Sequence, residues 1–288
     1  MISPELRARI LMEALPYIRA FAGKSVVIKC TGAAMEEPNL RESLVLDVIL
    51  LRFVGINPVV VHGGGVQITE AMTRLGKKPY FVRGFRVTDA ETMAIVEMVL
   101  VGQVNKQIVG LINQHGGKAV GLSGKDGNLI LARRRPARLP TGELIDIGLV
   151  GEVETINTDL LRLLKENGFI PVIAPIGVDR EGVTYNINAD LVAGDLAAAL
   201  TAEKVIYLTD VQGILGADGQ MLSTLSRADA EQLISQGVVE GGMLPKVESS
   251  LQALKGGVAK AHIIDGHVPH AILLELFTNE GIGTEIIL

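Results

Sequence analysis

The sequence predicts an α/β fold, a mainly parallel sheet covered by helices on both faces. Three observations lead there. Short apolar, β-branched runs recur along the chain, separated by stretches with helical spacing. The strand runs are apolar nearly throughout, as expected of strands buried on two faces. Glycine turns follow several of them, where a parallel sheet carries its ligand loops.

The elements follow in order. Ser3 can cap a first helix and Pro4 suits its first position. Leu6, Ile10, Leu11, Leu15 and Ile18 recur at helical spacing, Pro16 should kink or divide the helix, and Gly23 ends it. "SVVIK" (Ser25–Lys29) reads as a buried strand. Leu40, Leu44, Val48 and Leu51 mark a helix stopping at Gly55. "PVVVH" (Pro58–His62) is the next strand, and "GGGVQITEAMTRLG" is a glycine turn opening a helix. "DAETMAIVEMVLVGQVNKQIVGLINQHGG" is a long helical stretch. "AVGLS", "PVIAP", "KVIYLT" and "KAHIID" are further strands, with helices such as Leu191–Leu200 between them. "NLILARR" and "VGEVETI" read as a more exposed antiparallel excursion.

At 288 residues, 48% of them hydrophobic, the chain fits one large α/β domain or two lobes of about 150 residues. A net charge of −5 argues against a general nucleic-acid binder, which needs a concentrated basic surface. The one basic cluster, Arg133, Arg134, Arg135 and Arg138, reads as a solvated hairpin or loop. Cys30 is the single cysteine, which excludes an intramolecular disulfide and fits a reducing cytoplasm. Glu5, Arg7 and Arg9 interrupt any signal-peptide core. No uncharged run is expected to span a membrane.

The sheet rule gathers Lys29–Gly32, His62–Gly65 and Asp210–Gly213 on one edge. "HGGGVQI" offers backbone N–H groups at a helix start, suited to an anion, and lacks the last glycine of a dinucleotide fingerprint. "GLSGKDG" fails as a P-loop because Asp126 follows Lys125. "YNINAD" puts Asn188 and Asp190 where either can cap a helix. "LTDVQGI" and "GGMLPKV" are equally compatible with turn chemistry and a solvated lysine.

Taken together and in order, "VIKCTGAAM", "VVVHGGGVQI", "GFRVTD", "MVLVGQVNKQIV", "AVGLSGKDG", "YNINAD", "AEKVIYLTDVQGIL", "GGMLPKV" and "HAILLELFTNEGIGTEI" resemble the amino-acid kinase family. The match runs from about residue 25 to the C-terminus and is closest to members acting on N-acetylglutamate. The resemblance implies a three-layer αβα sandwich and ATP-dependent phosphorylation of the side-chain carboxylate of N-acetyl-L-glutamate in arginine biosynthesis. It implies an N-terminal oligomerisation helix (1–22), an acyl-acceptor lobe (23–183) and an ATP lobe (184–288). Gly64, Gly65, Arg86 and Asn186 match the acceptor site. Lys29 and Lys246 match the lysines that neutralise the transferring phosphoryl group, and Asp190 the carboxylate that orients them. Gly32, Asp210, Val211, Gln212, Gly213, Ile214, Leu215, Val238, Val239 and Glu240 match the nucleotide loops. Magnesium is expected on the ATP oxygens, so no protein metal ligand is assigned. The two ends resemble arginine-inhibited homohexamers, with His270, Glu275 and Gly283 as effector contacts. Other carboxylate kinases and a non-catalytic arginine-sensing subunit are the alternatives.

The chain departs from the family pattern at Thr31, which replaces the first of two loop glycines. A positive φ there would strain a β-branched residue; a negative φ would leave only crowding of the phosphate to consider. Ala33 and Val66 are lesser departures.

Overall fold

Ser25–Cys30 is buried along its whole length at the centre of an eight-stranded sheet. The computed structural model describes residues 3–82, 84–138, 143–278 and 281–288. Met1, Ile2, Asn279 and Glu280, and the side chains of Ala33 and Arg138, lie outside the described residues. The strand order is Thr224–Ser226, Gly283–Ile287, Lys260–Asp265, Lys204–Thr209, Ser25–Cys30, Asn57–His62, Ile170–Ala174, Ala119–Ser123. Lys260–Asp265 through Ala119–Ser123 run parallel. Gly283–Ile287 is antiparallel to Lys260–Asp265, and Thr224–Ser226 runs parallel to Gly283–Ile287. The sheet is continuous across residues 183 and 184, because Lys204–Thr209 pairs directly with Ser25–Cys30.

The period of two in a strand divides its side chains between two cores. Val26, Ile28 and Cys30 pack with Val48, Val96, Ile108 and Ile272 on one side. Val27 packs with Val192, Leu196, Val247 and Leu251 on the other. Lys29 follows Val27 by two and so faces Ala189–Ala199 and Leu244–Lys255. The expected antiparallel excursion is a second, four-stranded sheet, in which Ile130–Arg134 pairs antiparallel with Gly151–Ile156.

Three expectations are corrected. Pro16 does not divide the first helix, which runs from Pro4 to Phe21 with Ser3 Oγ accepting from Leu6 N–H at 3.2 Å. The carbonyl that Pro16 leaves without a donor belongs to Met12, itself 64% exposed, so water can serve it. Helix Ala90–Gln114 is, by length and composition, apolar enough to cross a membrane. Val96, Val99, Leu100, Val104, Ile108 and Ile112 place it in the core instead. The strands at Thr224–Ser226 and Gly283–Ile287 were not foreseen.

Arg133 and Arg134 are exposed and paired, Arg133 with Glu152 at 2.7 Å and Arg134 with Asp146 at 2.8 Å. Arg135 lies over the Phe85 ring, 4.5 Å from its centroid. Cys30 is buried, and burial pushes its thiol up to about 12, which suits a packing residue.

Candidate active site

Lys29, the penultimate residue of its strand, lies beside the first turn of Ala189–Ala199, which Asn188 caps by accepting from Asp190 N–H at 2.8 Å. Asp190 is therefore free of capping duty and carries charge. Lys29 Nζ stands 2.8 Å from Asp190 Oδ1, and Lys246 Nζ donates to Asp190 Oδ2 at 3.2 Å. Side-chain exposures of 4%, 7% and 12% for Lys29, Asp190 and Lys246 make this a buried triad. Burial pushes the Asp190 carboxyl up, yet the two ammonium groups outweigh it and hold it below the usual value. Burial lowers Lys29; Asp190 opposes the fall and Lys246 adds to it.

Two helices bring Lys246 there. Ser249 lies three residues on, on the same face, and its hydroxyl donates to the Asp190 carbonyl at 2.6 Å. Tyr207 bonds the same hydroxyl at 2.8 Å. A Cβ on Gly194 would lie 2.2 Å from Ser249 Oγ, so the crossing requires glycine.

Beside the triad is a cavity of about 220 Å³, lined by Lys29, Thr31, the glycines Gly63–Gly65, Arg86, Asn186 and Asp190. Phe81, Phe85, Ile68 and Leu100 supply apolar wall. Arg86 donates to the Gly65 carbonyl at 2.9 Å and to Thr69 Oγ1 at 2.8 Å, and sits 4.6 Å from the Phe81 ring centroid. A Cβ on Gly64 would strike Leu100 at 2.5 Å, whereas one on Gly65 would meet nothing within 4 Å. Leu100 belongs to a π-helical turn, Met98–Val104, which presses it onto the glycine loop. His62 secures that loop: its Nδ1–H donates to the Gly63 carbonyl at 2.8 Å, and its Nε2 accepts from Asn105 at 3.2 Å. Asn105 also donates to the Val172 carbonyl at 2.9 Å, which fixes its amide and the neutral imidazole tautomer.

A second cavity of about 540 Å³ shares Thr31 and Gly63–Gly65 and adds Gly32, Gln67, Asp210 and His267. Gly32 has φ of +61°, and a Cβ there would lie 1.9 Å from Asp210 Oδ1. Thr31 is not among the described non-glycine residues with positive φ, so the strain considered for it does not arise. The loop has kept glycine at the position whose conformation needs it.

The chain matches the amino acid kinase family over residues 24–265. It belongs to that family. Acetylglutamate kinase of Syntrophus aciditrophicus is 57% identical over 290 residues, 99% of this chain and 98% of that protein. Acetylglutamate kinase of Geotalea uraniireducens is 58% identical over 285 residues, 98% of each. Among solved structures, N-acetylglutamate synthase from Neisseria gonorrhoeae, complexed with coenzyme A and N-acetyl-glutamate, has a TM-score of 0.84 at 29% identity. The match covers 98% of this chain and 63% of that longer one. Carbamate kinase from Giardia lamblia bound to AMP-PNP shares the fold, with a TM-score of 0.63 at 16% identity over 92% of this chain and 99% of that one.

The family residues expected from the sequence fall into separate places. Lys29, Lys246 and Asp190 form the triad, and Gly64, Gly65, Arg86 and Asn186 line the cavity beside it. Of the expected nucleotide residues, Gly32 and Asp210 line the larger cavity, while Val211, Gln212, Gly213, Ile214, Leu215, Val238, Val239 and Glu240 do not. Ile214 and Val239 are buried, 1% and 4% exposed, and the Ile214 N–H is taken up by Thr284 Oγ1 at 2.8 Å. Glu275 and Gly283 line a polar pocket of about 310 Å³ with Lys204 and His262. His270 is not in it; its ring meets Asp47 at 2.6 Å near another helix. Among the described residues no group of three or more His, Cys, Asp or Glu is placed to hold a metal. Sequence reading missed Ser249, Tyr207, Thr69 and Asn105. Only the Lys246-to-Ser249 spacing was available as a signal.

Proposed function

We propose that this chain phosphorylates the side-chain carboxylate of N-acetyl-L-glutamate from ATP, giving an acyl phosphate for arginine biosynthesis in the cytoplasm. The buried Lys29–Asp190–Lys246 triad beside the smaller cavity carries the reading. Acetylglutamate kinases at 57–58% identity over nearly the whole chain support the acceptor. A carboxylate acceptor is ionised at neutral pH, so no general base is required. The remaining task is to bring two anions together and stabilise charge spread over the moving phosphoryl group.

Lys29 and Lys246 supply that positive charge, and Asp190 holds the two ammonium groups apart and aimed. Arg86 grips the acceptor's α-carboxylate with its planar fork, helped by Asn186 and the Gly64–Gly65 amides. Gly32 and the 210–215 and 238–240 loops bind ATP. Both Asp190 oxygens face ammonium groups, which fits magnesium held by the ATP phosphates, where it neutralises charge.

We also propose arginine feedback in a homohexamer. Pro4–Phe21 has no buried residue, and Ile10, Leu11 and Met12 are 49%, 73% and 64% exposed. Its last residue, Phe21, packs 5.3 Å from Lys204 Nζ, which lines the pocket of Glu275 and Gly283. The Neisseria synthase has also been solved with L-arginine, at 29% identity and a TM-score of 0.81.

The test supplies Mg-ATP with N-acetylglutamate, glutamate or an aminoadipate derivative, and traps acyl phosphate with hydroxylamine. Hydroxamate with N-acetylglutamate alone is expected. Hydroxamate only with another acceptor, or none with retained arginine binding, would overturn the assignment.

A further inference from the structure

We propose that Thr31 is a positioning residue: its hydroxyl holds the Lys29 ammonium at the wall of the smaller cavity, next to the glycine loop. This rests on the kinase reading above. An ammonium has three N–H groups to place. Lys29 gives an aligned hydrogen bond to Thr31 Oγ1 at 2.8 Å. Its contact with Asp190 Oδ1 is equally short, at 2.8 Å, but Oδ1 receives no hydrogen bond of acceptable geometry. The carboxylate thus attracts the ammonium while the threonine sets its rotation. The third N–H is left to face the smaller cavity, which Lys29 lines.

The hydroxyl is itself aimed by packing. A Cβ on Gly63 would lie 2.1 Å from Thr31 Cγ2, so the methyl occupies the space that glycine leaves. With the methyl seated there, the hydroxyl turns to Lys29. The loop backbone beneath is pinned, since Gly63 N–H donates to the Cys30 carbonyl at 3.0 Å and the Cys30 thiol faces the Val61 carbonyl at 3.7 Å. Thr31 lines both cavities, and the ammonium it holds lines the smaller one beside it. Without the hydroxyl, Lys29 would keep Asp190, already at 2.8 Å, as its one partner and could rotate its N–H groups toward it. Charge would then be spent on the carboxylate and not on the phosphoryl group.

Two substitutions separate hydroxyl from methyl. Thr31→Val keeps the shape and removes the acceptor; Thr31→Ser keeps the acceptor and removes the methyl. Thr31→Val is expected to lower kcat about tenfold to a hundredfold, the size of a lost hydrogen bond to a charged group. Both KM values should change less than about threefold, and Thr31→Ser should stay within about threefold of the parent kcat. A hydroxyl accepting from an ammonium favours its charged form. The alkaline limb of the rate should therefore move to lower pH in Thr31→Val and stay in place in Thr31→Ser.

A titration of ¹⁵N-labelled lysine side chains reads the same displacement on Lys29 without turnover. Equal kcat and equal titration in all three proteins would overturn the proposal, as would Thr31→Ser failing as badly as Thr31→Val. If the parent protein phosphorylates no carboxylate, the kinase reading falls. The lysine titration then still decides whether the hydroxyl holds the ammonium.

Discussion

Asp190 sits between two ammonium groups, and each of its oxygens faces a different one. Removing its charge leaves two buried cations facing each other. Asp190→Asn should lose about 3–5 kcal/mol in denaturant unfolding, the usual result of breaking a buried ionic set, together with nearly all activity. Unchanged stability would mean the triad is not paired in solution. Arg86→Lys keeps the charge and loses the planar fork, so it should raise the KM for N-acetylglutamate about tenfold or more while leaving the KM for ATP alone. His62 gives a pH signature. Burial pushes its imidazole down to about 4, from an ordinary value of 6.5. The unfolded chain therefore takes up a proton first, and stability present above pH 6.5 falls as the pH drops toward 4, by about 3 kcal/mol. Buried His262 is lowered as well and adds to the same slope. His62→Asn should flatten part of that slope in unfolding measured across pH; an unchanged slope would rule His62 out. Lys29, Asp190 and Lys246 were legible through the resemblance to the amino-acid kinase family; position alone left Asp190 a helix cap and Lys246 a solvated lysine. The role of Thr31 was not, because its hydroxyl is aimed by Gly63 on a neighbouring loop, far from it in sequence.

Helices Ala189–Ala199 and Leu244–Lys255 set the spacing between Asp190 and Lys246. Their crossing rests on Gly194, where even a methyl would lie 2.2 Å from Ser249 Oγ. Gly194→Ala should cost about 1–3 kcal/mol by overpacking and lower kcat by moving Lys246 from Asp190. Full activity with full stability would show that the crossing adjusts freely. The central parallel strands were legible because they are buried runs rich in Val and Ile, such as Ser25–Cys30, Asn57–His62 and Ile170–Ala174. Thr224–Ser226 is too short to carry a period, and Gly283–Ile287 follows a glycine-rich turn that hides its strand character. The π-turn in Met98–Val104 was also invisible, because helical spacing looks the same on either side of one extra residue.

Among the described residues a central eight-stranded sheet carries the ligand loops at its strand ends, and helix Pro4–Phe21 has no buried residue. Deleting residues 1–21 should reduce the particle mass in light scattering and weaken inhibition by arginine, because Phe21 packs on Lys204. An unchanged hexamer with an unchanged arginine response would contradict that role. Glu275→Gln should abolish arginine inhibition with little change in kcat, read from inhibition curves; a normal curve would remove the Glu275 pocket from the account. The central claim is that two ammonium groups converge on one migrating phosphoryl group. A crystal structure with Mg-ADP, N-acetylglutamate and aluminium fluoride tests it most directly. Lys29 Nζ and Lys246 Nζ should each lie about 3 Å from the planar fluoride, within hydrogen-bond reach. A fluoride bound out of reach of either lysine would contradict it.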